Sequence, residues 1–198
     1  MVKKAKIYTR TGDGGQTGLV GGQRLSKANE LIDLYGTCDE LNAVIGVVRS
    51  CLVSDGDVKR DDLHQEQIVF IQEVQSRLFD LGSLLACLPE EREKFKLPII
   101  KEGYVVALEE MIDRLEEPME EMRNFILPGG SIASAHAHVA RTVCRRFERL
   151  LVLRSEKQQD VPEYGIRYIN RLSDYFFSLS RFVNFKQGHK EIVWKPGK

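Results

Sequence analysis

The sequence predicts an all-α fold, a five-helix up-and-down bundle with an extended N-terminal arm. Apolar residues recur at three- and four-residue steps over five long stretches, which is the periodicity of amphipathic helices. Turn-forming residues separate these stretches, and long helices with short connections are most simply accommodated in an antiparallel bundle. A chain of 198 residues can build one hydrophobic core, so we expect a single domain made of an arm (1–27), the bundle (28–187) and a C-terminal tail (188–198).

The arm is predicted from its composition. Residues 1–27 contain six glycines and many polar side chains, with Ile7, Tyr8, Leu19 and Val20 as the short apolar anchors. Glycines and polar residues in this density favour extended chain with tight turns. We therefore expect an arm without regular structure and no β-sheet in the protein.

The helices are delimited by periodicity and by breaking residues. Their predicted extents are, in order, 29–52, 63–85, 102–115, the stretch after Pro128-Gly-Gly-Ser and the stretch after Pro162. Ser54-Asp-Gly-Asp ends the first helix, a charged loop follows the second, and Pro118 ends the third.

Composition excludes several classes of protein. Lys plus Arg and Asp plus Glu both total 29, so no overall field recruits nucleic acid or an anionic membrane, and any anion site must be local. The four cysteines (Cys38, Cys51, Cys87 and Cys144) form no CxxC pair, which favours reduced, buried thiols. Neither a signal-peptide apolar region nor a bilayer-length apolar run is found, so we expect a cytoplasmic protein.

The fourth helix carries a stripe of positive charge. At 100° per residue, roughly the α-helical step, one side carries Val139, Val143, Phe147 and Leu150 and is predicted to face the core. The opposite side is predicted to carry His138, Arg141, Arg145, Glu148 and Arg149. Like charges at four-residue spacing repel each other unless a partner arrives, and the Arg fork matches phosphate oxygens. The stripe predicts an anion site; a solvated face moderated by Glu148 is the alternative.

The fifth helix has a second polar stripe. Its apolar side is predicted to comprise Ile169, Leu172, Phe176, Leu179 and Val183. Its opposite side combines Asn170, Asp174, Phe177 and Arg181, a mixture more typical of a binding site than of a solvated face.

The arm supplies a third polar element, the run Thr9-Arg-Thr-Gly-Asp-Gly-Gly-Gln-Thr-Gly. Hydroxyls and glycines are the ingredients of a backbone nest that turns N–H groups toward an anion. The run is not a Walker A loop, because no Gly-Lys-Ser/Thr follows the glycines. His136 and His138 form an HxH pair, but two such side chains diverge by about 200° around a helix, so we expect no metal site there.

Five segments, spread over nearly the whole chain, carry a family pattern: Lys6-Ile-Tyr-Thr-Arg-Thr-Gly-Asp-Gly-Gly-Gln-Thr, Tyr35-Gly-Thr-Cys-Asp-Glu-Leu-Asn, Phe125-Ile-Leu-Pro-Gly-Gly-Ser, Arg141-Thr-Val-Cys-Arg-Arg-Phe-Glu-Arg and Ile169-Asn-Arg-Leu-Ser-Asp-Tyr-Phe-Phe. Together, in this order, they resemble the PduO-type ATP:cob(I)alamin adenosyltransferases. The resemblance implies a trimer of five-helix bundles of ferritin-like architecture with active sites between subunits. There, cob(I)alamin or a cob(I)inamide-type corrinoid would attack the 5′ carbon of ATP, and triphosphate would leave. It also implies Mg²⁺ on the phosphates, and as partners a reductase and a cobalamin-dependent client enzyme.

The resemblance also implies the site residues. The ATP-binding set would be Thr9, Arg10, Thr11, Gly12, Asp13, Gly14, Gly15, Gln16, Thr17, Lys27, Arg145, Arg146, Phe147, Glu148, Arg149 and Asn170. The residues implied to act in catalysis would be Arg145, Glu148, Phe125, Asp39 and Arg141. Asp39 would pair with Arg141 of the adjacent subunit, Phe125 would press on the lower face of the corrin, and no side chain is assigned as a metal ligand.

Other functions remain possible for such a chain. A non-catalytic ATP or corrinoid sensor, or a delivery protein, would use the same pocket without turnover. A carboxylate-bridged di-iron bundle would need inward Glu-x-x-His pairs on two helices, and the sequence offers none. A purely structural bundle would leave the arm and both polar stripes without partners.

Overall fold

The computed structural model describes residues 6–54 and 62–197, which are mostly helical. The elements are β1 (Gln16–Gly18), β2 (Arg24–Ser26), α1 (Glu30–Ser54), α2 (Asp62–Leu85), a 3₁₀ turn (Pro89–Glu91), α3 (Arg92–Phe95), α4 (Glu102–Glu116), α5 (Ile132–Gln158) and α6 (Gly165–Lys186). The five predicted helices correspond to α1, α2, α4, α5 and α6. The predicted break after Ser54 lies almost wholly outside the described residues.

Helix ends follow local side-chain chemistry. The Asn29 side chain accepts a hydrogen bond from Leu31 N at 2.9 Å at the start of α1, and Ser131 accepts one from Ser134 N at 3.1 Å at the start of α5. Such caps satisfy amide groups that have no partner within the helix. At the other end of α5, Gln159 adopts a left-handed conformation with φ 53° that stops the helix.

The core lies between the long helices. Helix α1 packs against α2 and α5, and α6 packs against α5 and α4. The largest fully buried side chains include Phe147, Tyr168, Tyr175, Phe176 and Phe182, and each buried aromatic of this kind stabilises the fold by about 1.5–3 kcal/mol. Tyr175 keeps its hydroxyl satisfied by donating to Gln67 Oε1 at 2.9 Å. No helix within 6–54 or 62–197 is long and apolar enough to span a bilayer.

The expectation of no β-sheet is wrong. Strands β1 and β2 pair antiparallel, with Gln16 opposite Ser26 and Gly18 opposite Arg24. The turn between them uses Gly21 and Gly22 at φ 103° and 86°, so two of the glycines expected to form tight turns close a hairpin. Leu19 is the apolar anchor that is buried, whereas Ile7 and Tyr8 are exposed.

The charged loop after α2 contains the 3₁₀ turn and α3, and this region contacts the arm. Val20 N donates to Ala86 O at 2.9 Å, and Phe95 of α3 lies against Gly21, with 3.4 Å from its ring to the place that a Cβ would occupy. The sequence prediction missed α3 because a four-residue helix is too short to show periodicity. The arm is therefore fixed at the end of α2.

The predicted core face of α5 is rotated from the observed one. Val139 is 46% exposed and His138 only 5%, which reverses their predicted positions. The inward face is a run of small and large residues, namely Ala133, Ala137, Ala140, Cys144, Phe147 and Leu151. Alanines carry little hydrophobic signal, but their small side chains let α1 and α6 approach α5 closely. The predicted apolar side of α6 is confirmed, since all five of its residues are buried.

Candidate functional site

The arginine stripe lies on the outer side of α5. Arg145 and Arg149 are exposed, and Arg149 Nη1 donates to Arg145 O at 3.2 Å. Neither guanidinium forms an ion pair with any residue of 6–54 or 62–197. Burial, and secondarily the charge of Arg145, lowers the pKa of Arg141, which is half-buried one turn earlier. Within the described part of the chain this face therefore carries positive charge that no ion pair compensates, which is the condition for binding an anion.

A carboxylate and an amide face each other across α5 and α6. Asn170 Nδ2 donates to Glu148 Oε1 at 2.8 Å, and both residues are half-buried. The bond holds Glu148 beside Arg145 and Arg149 while it leaves one carboxylate oxygen available. Two sequence-predicted site residues on different helices thus meet in the folded chain.

Nearer the start of α5, the side chains of His138 and Arg141 both contact the ring of Phe177 on α6. The Arg141 guanidinium stands 6.0 Å from the centre of the Phe177 ring, and the His138 ring meets the same ring edge-on at 6.1 Å. Burial, followed by the charge of Arg141, lowers the pKa of His138 to about 4, so its imidazole is neutral near pH 7. Buried Arg141 Nε and His138 Nδ1 have no hydrogen-bond partner.

The arm forms a cradle of backbone and cations. Arg24 Nη2 donates to Thr11 O at 2.6 Å and to Gln16 O at 3.3 Å, which ties the glycine-rich run to β2. Lys27 N donates to Gly15 O at 2.9 Å, and the Lys27 ammonium lies 3.2 Å from the place that a Cβ on Gly12 would occupy. Arg10 and Gly15 adopt left-handed conformations at φ 61° and 77°, as expected of a nest-forming loop.

The segment before the Pro-Gly-Gly turn pairs with the C-terminal tail. Trp194 N donates to Phe125 O at 2.7 Å, and Leu127 N donates to Ile192 O at 2.8 Å. Phe125 is 75% exposed and meets the Trp194 ring edge-on at 6.3 Å. The two segments are held together by backbone hydrogen bonds, and their exposed aromatic pair forms an apolar surface that suits a flat ligand.

Asp39 lies on the surface of α1. Its carboxylate is exposed and forms no hydrogen bond or ion pair with the other residues that the structure describes. It borders a concavity of about 320 Å³ between α1 and α2 that Tyr35, Leu78 and Phe79 also line, and Phe79 is 68% exposed. Apolar surface of this kind on one chain is a candidate contact for another.

No hydrogen bond or ion pair joins residues 9–17 or Lys27 to Arg141, Arg145 or Arg149 across the described part of the chain. The arm is instead held by α2 and α3. The predicted ATP-binding residues therefore lie in two groups, one on the arm and one on α5 and α6.

Phe147, Arg146 and Arg181 make contacts within the chain itself. Phe147 has no exposed surface and belongs to the core, as its place on the apolar side of the helix predicts, and its contact with the nucleotide stays a prediction. Arg146 forms an ion pair with Glu40 of α1. Arg181 is 5% exposed and donates to Glu191 Oε1 at 2.8 Å and Glu116 Oε2 at 2.6 Å, so it binds two segments of the chain together rather than facing a ligand.

Sequence reasoning missed two contributors. Arg24 was not selected because its role depends on the hairpin that brings it back over Thr11. Trp194 was assigned only to a surface tail, although a lone tryptophan beside Pro196 in a polar segment is itself a signal of a specific contact.

Comparison with known proteins agrees with this geometry. Residues 7–183 match the family model described as cobalamin adenosyltransferase. The chain is 42% identical to a corrinoid adenosyltransferase of Bacillus subtilis (strain 168) over 190 residues, covering 96% of this chain and 92% of the relative. It is 34% identical to a corrinoid adenosyltransferase of Homo sapiens over 194 residues, covering 96% of this chain and 73% of the relative.

A solved structure has the same fold. It is a variant PduO-type ATP:corrinoid adenosyltransferase from Lactobacillus reuteri complexed with cobalamin and ATP. It superposes with a TM-score of 0.84 at 35% identity and covers 98% of both chains. With nearly the whole chain matched in sequence and in fold, this protein belongs to the cobalamin adenosyltransferase family and is of the PduO type.

Proposed function

We propose that this protein transfers the 5′-deoxyadenosyl group of ATP to a cob(I)alamin- or cob(I)inamide-type corrinoid, releasing triphosphate. The observation that carries the proposal is the uncompensated charge of Arg145 and Arg149 beside the Glu148–Asn170 hydrogen bond. A triphosphate is the kind of ligand whose charge and oxygen geometry suit two adjacent guanidinium groups. That the second substrate is a corrinoid is inferred from membership of the family.

The chain would act mainly by positioning and by charge. Cob(I) is already a strong nucleophile and attacks C5′ of ATP; the C5′–O bond breaks, and its electron pair leaves with the triphosphate. Holding both reactants in line contributes on the order of 7–11 kcal/mol. Arg145 and Arg149 would stabilise the negative charge that develops on the leaving oxygen.

Mg²⁺ fits this site through the phosphates rather than through a protein cage. Among the described residues no group of three or more His, Cys, Asp or Glu side chains could hold a metal ion. Mg²⁺ commonly keeps several waters and is bound by substrate phosphates with one or two carboxylates. Glu148 is the carboxylate next to the arginines, so it would either approach the ion or orient a guanidinium, while the ion adds positive charge on the phosphate oxygens.

Phe125 would form the lower wall of the corrin site. Its exposed ring, with Trp194 at its edge, presents an apolar surface held by backbone hydrogen bonds. Such a wall excludes water and the lower axial ligand from cobalt. Loss of the axial ligand makes cob(II) easier to reduce, which favours formation of the cob(I) nucleophile.

We further propose that the protein works as a trimer of five-helix up-and-down bundles of ferritin-like architecture, with each site shared by two copies. The lack of a hydrogen bond or ion pair between the arm and the arginine face among the described residues supports this arrangement. The concavity beside Asp39 and the exposed apolar side chains of α5, Ile132 and Val139, are two unlike surfaces on different helices. Unlike surfaces that meet head to tail generate closed rings when the rotation closes. Asp39 of one copy would then pair with Arg141 of the next.

Reduction of the substrate and use of the product belong to the same proposal. A separate reductase would supply the cob(I) state and a cobalamin-dependent client enzyme would accept the product, in the cytoplasm. The four free thiols agree with a reducing compartment.

The proposal is tested by an anaerobic assay of purified protein with ATP, Mg²⁺ and chemically reduced cobalamin. We expect loss of the cob(I) absorbance together with one triphosphate for each adenosylated corrinoid. ATP binding without triphosphate release would instead identify a sensor or delivery protein and overturn the proposal. Omission of ATP is the matched control for nonspecific oxidation of cob(I).

The intersubunit pair is tested by charge reversal. Asp39→Arg and Arg141→Asp should each weaken assembly, and the double variant should recover part of it, because the pair is restored in the opposite sense. Sedimentation measures the assembly state. Equal loss in all three variants would argue against a direct contact.

A further inference from the structure

Arg24 joins the two ends of the glycine-rich loop of the arm. Its Nη2 atom donates to Thr11 O at 2.6 Å and to Gln16 O at 3.3 Å, and these two carbonyl groups stand at the start and at the end of the loop 11–16. The Arg24 side chain is exposed and forms no ion pair with any other residue that the structure describes. One guanidinium nitrogen therefore closes a loop in which three of six residues are glycine.

The rest of the loop also uses its carbonyl groups within the chain. Gly15 N donates to Gly12 O at 3.1 Å, and Lys27 N donates to Gly15 O at 2.9 Å. By contrast, Gly12 N and Gly14 N have no hydrogen-bond partner among the described residues. The loop thus keeps acceptors for itself and leaves amide donors available, which is what an anion-binding nest requires.

The hydrogen bond to Thr11 O sets the direction of the next amide. The Thr11–Gly12 peptide is trans, and in a planar trans peptide the C=O and the N–H point in opposite directions. Because Arg24 holds the Thr11 carbonyl toward itself, the Gly12 N–H points away from Arg24. The Lys27 ammonium lies beside Gly12, 3.2 Å from the place that a Cβ would occupy. A phosphate oxygen next to Gly12 would therefore meet a backbone donor and a cation.

Without Arg24 this peptide would be free to turn over. Gly12 has no side chain that restricts its backbone, so the opposite orientation costs little. A turned-over peptide would present the Thr11 carbonyl oxygen to the phosphate in place of the Gly12 N–H, and the two negative partial charges would repel each other. By favouring one orientation before ATP arrives, Arg24 reduces the free energy that binding must spend on ordering the loop.

We infer that Arg24 is a positioning residue for the phosphates of ATP, which acts by holding the Thr11 and Gln16 carbonyls and so turning the Gly12 N–H toward the substrate. The inference rests on the proposed function, because it assumes that the arm binds the triphosphate. Arg24 contacts the loop and not the nucleotide. Its effect is therefore present in the ligand-free protein, where it is measured separately from turnover.

Kinetics and binding of full-length variants give the first test. Arg24→Ala should raise the KM for ATP and the Kd for inorganic tripolyphosphate by roughly tenfold, because only a fraction of the protein then holds the binding-competent loop. At saturating ATP, kcat should stay within about twofold of wild type, since bound ATP selects that loop. Arg24→Lys keeps a cationic donor and should recover part of the loss. Gln23→Ala, at the exposed neighbour in the hairpin turn, is the matched control and should behave as wild type.

Limited proteolysis of the ligand-free protein gives the second test. Trypsin cleaves after Arg10, directly before the residue whose carbonyl Arg24 holds. Loss of the Arg24 hydrogen bonds should speed this cleavage by about threefold or more in Arg24→Ala, because local opening exposes the bond more often, and should leave it unchanged in Gln23→Ala. Mass spectrometry of the fragments over time measures the rate.

The two tests together separate the inference from the proposed function. A raised KM with unchanged cleavage would show that Arg24 contacts the phosphates itself, and a lowered kcat with unchanged KM would show that it acts on the transfer step. Either result, or an unchanged KM and kcat, would overturn the inference and leave the proposed function intact. Absence of adenosylation by the wild-type protein would overturn the proposed function, and the inference with it.

Discussion

Asn170 Nδ2 donates a hydrogen bond of 2.8 Å to Glu148 Oε1 and thereby joins α6 to α5, next to Arg149 and one turn after Arg145. The bond restrains the carboxylate on the face that we assign to the phosphates of ATP. Asn170→Ala should raise the KM for ATP by about tenfold, because a hydrogen bond to a charged group contributes roughly 1.5–3 kcal/mol. Steady-state kinetics at saturating corrinoid measures the effect.

Two further variants distinguish the two roles proposed for Glu148, orienting an arginine and approaching Mg²⁺. Asn170→Asp should be worse than Asn170→Ala, because it places two carboxylates side by side. Glu148→Gln should retain turnover if the side chain only orients an arginine and should lose it if the charge is needed near Mg²⁺. An unchanged KM for ATP in Asn170→Ala would contradict a role for this hydrogen bond.

Arg145 should be needed for turnover but not for folding. Its side chain is exposed and forms no ion pair in the described chain, so Arg145→Ala should leave the free energy of unfolding nearly unchanged. It should lower kcat by about 100-fold, in the range seen when one transition-state donor is removed. Arg114→Ala on α4, which breaks an exposed pair with Glu66 of α2, is the matched control and should keep full activity. Normal turnover of Arg145→Ala would remove the central claim.

Arg181 should matter for stability. It is 5% exposed and bound to Glu116 and Glu191, whose side chains remain about one third exposed. Arg181→Met should lower the free energy of unfolding by about 2–4 kcal/mol, less than for a fully buried pair because water still reaches the carboxylates. Arg171→Met, whose partners Glu109 and Asp174 are more exposed, should cost less than about 1 kcal/mol. Urea unfolding followed by circular dichroism compares the two, and equal losses would contradict the assigned role of Arg181.

Gly130 should tolerate no side chain. Its φ is 99°, and a Cβ would come within 2.2 Å of Asn184 Oδ1, which accepts from Ser131 N at 3.0 Å at the start of α5. Gly130→Ala should therefore destabilise the protein by about 2–4 kcal/mol through backbone strain and loss of this contact. Gly103→Ala lies in α4 with no atom within 4 Å of the added Cβ and should instead stabilise by about 0.4–1 kcal/mol. Thermal unfolding of both variants is the measurement, and a neutral Gly130→Ala would show that the turn can shift.

The buried thiols should be unreactive in the native protein. Burial, and then the charge of Asp39, raises the pKa of Cys38 to about 12, and burial raises the pKa of Cys144 well above its usual value. Little thiolate is present at pH 8, and the thiolate is the reactive form. Mass spectrometry after alkylation should find Cys38 and Cys144 unmodified until the chain is unfolded in denaturant. Rapid native labelling of either would indicate local opening of α1 or α5.

Prediction from sequence was correct where apolar residues recur at helical spacing or where a sequence motif is specific. The bounds of α4 and the buried side of α6 followed from apolar residues at helical spacing, and the site motifs led to the family that the comparisons confirm. It failed where the signal was weak or depended on other segments. Alanine contributes little to a hydrophobic stripe, so the core face of α5 was misplaced, and the polar character of Arg181 concealed a buried ion pair.

The sequence by itself determined the helical class, the positions of the long helices, the thiol state and the family, because periodicity, composition and local motifs are properties of neighbouring residues. Only the tertiary structure decided that Glu148 meets Asn170, that His138 is buried beside Arg141, and that the arm contacts the end of α2 and α3. These relationships join residues on different helices or depend on how far each helix rotates about its axis. That rotation is set by the packing of small and large side chains between helices, which no single segment of the sequence encodes.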